Sequence, residues 1–225
     1  MRTASQCYLI ALQKSEQNLT NGGIKMDKAR FVQLFNSEQN RLIQYILGEK
    51  INENIRKIQQ LVVYYKKLSS GGFRSVPKCD MFNLPDDYFA FSNISARFIR
   101  GRCLAEDFSL FEVKNEDVNE FLSDENHKPS FEYRETFYTI GQESVAVYKD
   151  DFDIESVFLT YYRYPKQINL EGYRMADGSQ SYNSDPELDD KLIDEILNMV
   201  QKQYALNENE PQRYQFDHSN VNDLK

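Results

Sequence analysis

Apolar residues recur along this chain in two rhythms. Up to about residue 70 they return every three or four positions, the spacing of one helix face. Beyond it, aromatic and β-branched residues alternate with polar ones, as in half-buried strands. The first rhythm predicts three helices. Thr3 to Leu19 is the first, stopped by Asn21-Gly22-Gly23, where glycines take the left-handed conformation of a helix end. The second runs from about Met26 to Leu47, with Phe31, Leu34, Phe35, Leu42, Tyr45 and Ile46 as its stripe and Gly48 as its punctuation. Ile51, Ile55, Ile58, Val62 and Tyr65 step by four and three and predict a third helix, with a narrow seam for helix-on-helix packing. Ser69-Ser70-Gly71-Gly72 should end it as a flexible link.

The second rhythm is clearest from Pro129 to Pro165, the stretch that organises the rest. Phe131, Tyr133 and Phe137 fall on one face of a first strand, Val145 and Val147 share a second, and Val157, Leu159 and Tyr161 a third. Gly141-Gln142 and Lys149-Asp150-Asp151 break them apart. Ahead of this sheet, Pro85 within Leu84-Pro85-Asp86-Asp87-Tyr88 predicts a turn or short helix. Ala96 to Val113 predicts one or two strands, broken near Gly101 and Glu106-Asp107. Asn115 to Leu122 predicts a short helix capped by Asn115, with Val118, Phe121 and Leu122 inward.

After Pro165 comes a loop from Glu171 to Asn183, then a helix start at Ser184-Asp185-Pro186-Glu187. There, Ser or Asp caps, proline fills the first turn, and Glu187, Asp189 and Asp190 favour the positive end of the dipole. Leu188, Leu192, Ile196, Met199 and Val200 would form the buried face of that helix. The expected fold is α+β. An N-terminal helical module occupies 1–70, a β-rich central domain with an antiparallel sheet 71–183, a C-terminal helix 184–206 and a flexible polar tail 207–225.

Composition changes this picture little. At 225 residues, 40% hydrophobic and 28% charged, the chain suits one good-sized domain. No apolar run approaches the roughly 18 residues of a membrane span. The run Tyr8 to Leu12 is too short for a secretory core and reads as the start of a helix. Cys7, Cys79 and Cys103 are odd in number and widely spaced, so they favour a reducing compartment and read as small buried residues. Charge is more telling. Residues 1–70 carry 11 Lys and Arg against 5 Asp and Glu, a net of +6, whereas the remainder of this −8 chain carries −14. One end docking on the opposite sign of a neighbour would produce such a split. The acidic total argues against a general nucleic-acid binder.

Candidate chemistry is sparse. Pro85-Asp86, with Glu112-Val113-Lys114 further on, fits the loose PD-(D/E)xK pattern, in which Asp86 and Glu112 would hold a divalent metal and Lys114 position water. The pattern is short and degenerate, and the same residues read better as a loop proline with acidic surface residues and an ordinary strand end. The clusters Asp150-Asp151-Phe152-Asp153 and Asp185 to Asp190 lack the glycine-centred calcium loop. His127 and His218 have no Cys or His partner at ligand spacing, and no phosphate-binding glycine loop is present. The Tyr161-Tyr162-Arg163-Tyr164 run suits a structural or protein-interface role better than a stacking surface for single strands. No catalytic, cofactor-binding or metal-binding residue is assigned, and no cofactor is expected.

Several whole phrases carry a resemblance: TASQCYLIALQKSEQNLTNGG, LPDDYFAFSN, KPSFEYRETFYTIG, VFLTYYRYPKQINLEGY and SDPELDDKLIDEIL. Together they span roughly Thr3 to Leu206 and resemble the virion neck proteins of crAss-like bacteriophages, which form head-to-tail connector or adaptor rings. That resemblance implies a structural protein made in the bacterial host cytoplasm and built into the virion neck. Identical subunits would form a ring, expected to be twelve-fold, against the portal protein and other neck and tail rings. DNA would pass through its channel without sequence-specific contacts. The net-acidic charge of the chain adds the expectation that a body facing the channel repels DNA and lets it slide. The tail 207–225 is the candidate portal-binding arm. The alternatives are the metal nuclease built on Asp86, Glu112 and Lys114, and a non-catalytic protein-interaction module.

Overall fold

Two units divide the chain, one comprising Met1–Leu61 with Pro165–Lys225, the other Val62–Tyr164. The computed structural model describes residues 2–17, 26–49, 51–71, 78–101, 105–175 and 177–207. The glycine stop at 21–23 and the tail from 208 onward lie outside the described residues.

The first unit is helical. α1 (Ala4–Gln17), α2 (Lys28–Glu49), α3 (Asn52–Arg56) and α5 (Asp190–Asn207) belong to it. α5 packs on both α1 and α2. Its Leu192, Ile193, Ile196, Leu197, Val200 and Tyr204 are buried, opposite Phe31, Phe35 and Ile43 of α2 and Cys7 and Ala11 of α1. Phe31, Phe35, Leu42 and Ile46 of the expected α2 stripe and Leu192, Ile196 and Val200 of the expected C-terminal stripe are buried, whereas Met199 is only half-buried and Tyr45 is exposed. Gly48 does not end α2, which continues to Glu49.

The C-terminal helix is corrected at its start. The proline turn does not open it; α5 begins at Asp190, and Asp189 caps it, its Oδ1 accepting from Lys191 N at 2.9 Å and Leu192 N at 3.0 Å. Ser184 belongs instead to an extended run: its backbone pairs with Asn169 and its hydroxyl donates to Gln167 O at 2.9 Å. The helix also shares a unit with α1 and α2 rather than standing apart.

The second unit is a seven-stranded mixed sheet of order β1-β7-β3-β4-β5-β6-β2. Its strands are β1 (Val62–Lys67), β2 (Cys79–Asn83), β3 (Tyr88–Ile99), β4 (Glu106–Glu112), β5 (Glu135–Ile140), β6 (Ser144–Tyr148) and β7 (Asp153–Arg163). The sheet is not wholly antiparallel. β4 and β5 run parallel, because a crossover through α4 (Val118–Ser123) carries the chain back before β5 starts.

The ladder also closes on itself. Leu68 N donates to Val157 O at 2.9 Å, extending β1 along β7. One residue later the chain changes partners: Ser69 O accepts from Asn83 N at 3.0 Å and Gly71 N donates to Met81 O at 2.9 Å, both on β2. β4 makes the matching corner, pairing with β3 through Glu106–Phe108 and with β5 through Ser109–Glu112. Two strands that switch sheets thus enclose one core of Ile94, Phe98, Phe108, Val145, Val157 and Leu159.

Two expectations fail here. The third helix was to run past Tyr65, but α3 stops at Arg56, a 3-10 turn covers Gln59–Leu61, and Val62 begins a strand. Four consecutive β-formers, Val62-Val63-Tyr64-Tyr65, outweigh the helical spacing. Consequently the helical unit ends at Leu61 rather than 70, and residues 69–71 are paired backbone instead of a free link. In the stretch expected to open with Phe131, the strand starts only at Glu135. Phe131 sits in a turn against Phe108 at 5.3 Å between ring centroids, Tyr133 is 79% exposed, and Phe137 faces outward under α4.

Candidate assembly surface

β1 is the terminal strand of the ladder, held by β7 along one side. Val62 and Val63 pair with Tyr162 and Tyr161, yet Lys66 and Lys67 pair with Leu159 and Phe158. β1 therefore spends one residue more than its partner, a β-bulge. Tyr65 lies in the bulge with φ 50°, a left-handed conformation uncommon for a bulky residue. The bulge breaks strand alternation, so the adjacent Tyr64 and Tyr65 both project outward, each 67% exposed. The ring of Tyr65 rests 6.2 Å from that of Phe158. Lys66 and Lys67 are exposed beside them, and neither has an ion-pair or hydrogen-bond partner among the described residues.

A second charged surface is the β4–β5 crossover. Phe121 of α4 holds it down, 5.9 Å from Phe111 of β4 and 5.7 Å from Phe137 of β5. No residue of α4 is fully buried, so the expected inward face of Val118, Phe121 and Leu122 is only half-covered, and Asp117 rather than Asn115 precedes the helix. Glu112, Glu116, Glu120 and Glu125 are exposed along the crossover. The Asn126 amide, and then His127 Nδ1 at 2.6 Å from Asp124 Oδ2, hold the Asp124 carboxyl below its usual range.

The residues of the PD-(D/E)xK pattern lie on separate segments of the sheet unit. Asp86 is exposed in the β2–β3 turn, Glu112 ends β4, and Lys114 sits two residues beyond, 3.7 Å from Glu116. Glu112 faces the hydroxyls of Tyr88 and Tyr138; burial first, and then this carboxylate, push Tyr138 up to about 12. Among the described residues no three His, Cys, Asp or Glu side chains converge on a point able to hold a metal. The other acidic clusters are engaged locally. Arg100 pairs with Asp151, and Lys149 reaches Asp80 at 2.7 Å and Asp153 at 3.8 Å. Asp185 accepts from the Ala4 amide at 2.8 Å and Asp190 from the Arg2 amide at 3.0 Å, while the Arg2 guanidinium pairs with Asp194. The basic start of the chain thus meets acidic partners within its own unit.

Of the Tyr161–Tyr164 run, Tyr161 and Tyr162 are buried and Tyr164 is half-exposed, edge-on to Phe89 at 4.7 Å. Cys7 and Cys79 are buried free thiols, Cys7 pushed up to about 11 by burial. Cys103 and His218 lie outside the described residues. Sequence reasoning missed Tyr64 to Lys67 as a surface because Tyr65 fitted the helical period. The signal present was β-formers followed by two lysines, the signature of a guarded edge strand. No protein-family model matches the chain, and no curated protein is detectably similar to it.

Proposed function

We propose that this chain is a structural virion protein, a subunit of a connector ring in the neck of a crAss-like phage. It joins capsid to tail beneath the portal and works by assembly rather than by catalysis. The observation that carries this reading is the β1 edge, where two exposed tyrosines and two unpaired lysines stand together. Tyrosines on a rigid strand are typical anchors of protein interfaces, and a strained backbone at an exposed site points to use by a partner. The resemblance of whole phrases to neck proteins suggests the kind of partner: copies of the same chain, the portal and adjoining rings. The tail 207–225 serves as the portal arm, and DNA passes through the ring.

Electron microscopy of the purified full chain, alone and mixed with its cognate portal, tests this. Rings seated on the portal, lost when residues 207–225 are deleted, are the expected result. A monomer that ignores the portal and cleaves DNA with magnesium, through Asp86, Glu112 and Lys114, overturns it. A monomer that does neither leaves a non-catalytic interaction module.

A further inference from the structure

The closed ladder places two oppositely charged surfaces half-way round one barrel from each other. From β1, the third strand in one direction is β4, by way of β7 and β3; in the other, across the bonds of Ser69 to Gly71 to β2 and then by way of β6, it is β5. The crossover between β4 and β5 therefore lies opposite the β1 edge. The two surfaces differ sharply in charge. β1, from Val62 to Lys67, holds two exposed lysines and no Asp or Glu. Residues 112–125 hold six carboxylates and one lysine. Lys66 and Lys67 on one side, and Glu120 and Glu125 on the other, are exposed and unpaired among the described residues.

We infer that the β1 edge of one subunit docks on the acidic β4–β5 crossover of a second copy of this chain. This deepens the ring reading above and rests on it. Complementary patches on opposite sides of one body make a head-to-tail contact, which closes into a ring when the rotation per subunit allows. A two-fold dimer would instead bring each patch against its own kind. The contact is made by side chains rather than by sheet extension, because the bulge and the two adjacent lysines bar another strand from β1. Tyr64 and Tyr65 supply anchoring area; Lys66 and Lys67 supply charge, register and a salt-sensitive encounter.

The test is carbodiimide cross-linking of an equimolar mixture of isotope-labelled and unlabelled full-length protein, at concentrations up to millimolar. The reagent joins lysine to carboxylate only where they touch, and a peptide with one heavy and one light arm reports contact between chains. Heavy–light links from Lys66 or Lys67 to Glu116, Glu120 or Glu125 are expected. Lys66→Glu with Lys67→Glu should weaken self-association about tenfold or more, and added Glu120→Lys with Glu125→Lys should restore it. All four positions are exposed, so the melting temperature reports whether the variants fold. Heavy–light links confined to other pairs, no such links at all, or reversal without rescue each overturn the inference. Rings on the portal with links elsewhere would remove this interface alone, whereas absence of rings in the microscope removes the connector reading itself.

Discussion

The hydroxyl of Tyr161 donates to Asp87 Oδ1 at 2.7 Å, tying β7 to the turn between β2 and β3. The main chain repeats the tie, with Tyr164 N donating to Asp87 O at 2.8 Å. Tyr161 is 1% exposed and its ring lies 5.8 Å from that of Tyr88. Burial first, and then the bond to Asp87, raise its pKa well above the ordinary phenol value. Of the two adjacent aspartates, then, it is Asp87 that holds the fold.

Asp87→Ala strips a buried hydroxyl of its acceptor and should cost about 1–3 kcal/mol, while Tyr161→Phe, which keeps the ring, should cost about 1 kcal/mol. Asp86→Ala, on an exposed turn, should stay within about 0.5 kcal/mol of the parent. Urea denaturation separates the three. Equal losses at Asp86 and Asp87 would remove the distinction.

The rhythm of apolar positions was enough to find α1, α2, β4, β6 and β7. It caught only the end of β3, missing Tyr88 to Ser95, and it opened β5 too early, at Phe131. It misled at residues 57–68, where Ile58 and Val62 keep a helical interval by coincidence. Two features could not be seen locally. Closure of the barrel depends on Leu68 meeting Val157 and Ser69 meeting Asn83, contacts set by how the sheet curls rather than by either segment. The parallel β4–β5 pair depends on which way the crossover returns. The exposed tyrosines were hidden for a related reason, since the bulge breaks the strand alternation that would have placed them and Tyr65 kept the helical interval instead.

The corner at Leu68 offers a direct check on closure. Its side chain is 5% exposed in the barrel core and its amide is the last bond from β1 to β7. Leu68→Ala should cost about 2–5 kcal/mol, as for any buried leucine left as a cavity. Ser69→Ala keeps its backbone bond to Asn83 and should be nearly silent. Thermal melting of both variants decides the point: a mild Leu68→Ala would mean that the corner is not sealed by this residue.

Glu38 of α2 is a carboxylate only 4% exposed, and its partner Arg41, 3.5 Å away, has a side chain 68% exposed. Burial raises its pKa, outweighing Arg41 and Lys202, which lower it. A folded-state pKa above the unfolded one favours the protonated form. The associated stability is fully present below the unfolded value of about 4.5 and is lost as pH rises through the folded one. Glu38→Gln, neutral throughout, should therefore melt higher than the parent at pH 7, with the difference shrinking towards pH 4. Melting curves across that range test the sign, and a variant that melts lower at pH 7 would show that the Arg41 and Lys202 attractions win.

The start of α5 separates the residue that caps it from the residues that looked as though they should. Asp189 bonds the amides of Lys191 and Leu192, which otherwise have no partner in the first turn. Asp189→Ala should cost about 1 kcal/mol, and Asp189→Ser should recover most of it. Ser184→Ala, which loses the bond from its hydroxyl to Gln167 O, should cost about 0.5–1.5 kcal/mol, a similar total from a different place. Overall stability cannot tell them apart, but amide exchange can. Lys191 and Leu192 should exchange faster in Asp189→Ala and unchanged in Ser184→Ala, whereas Asn169 and Ser184, whose amides bond each other's carbonyls at 3.0 Å, should respond only to the second. Faster exchange at Lys191 in Ser184→Ala would return the cap to the proline turn and move the helix start back to 184.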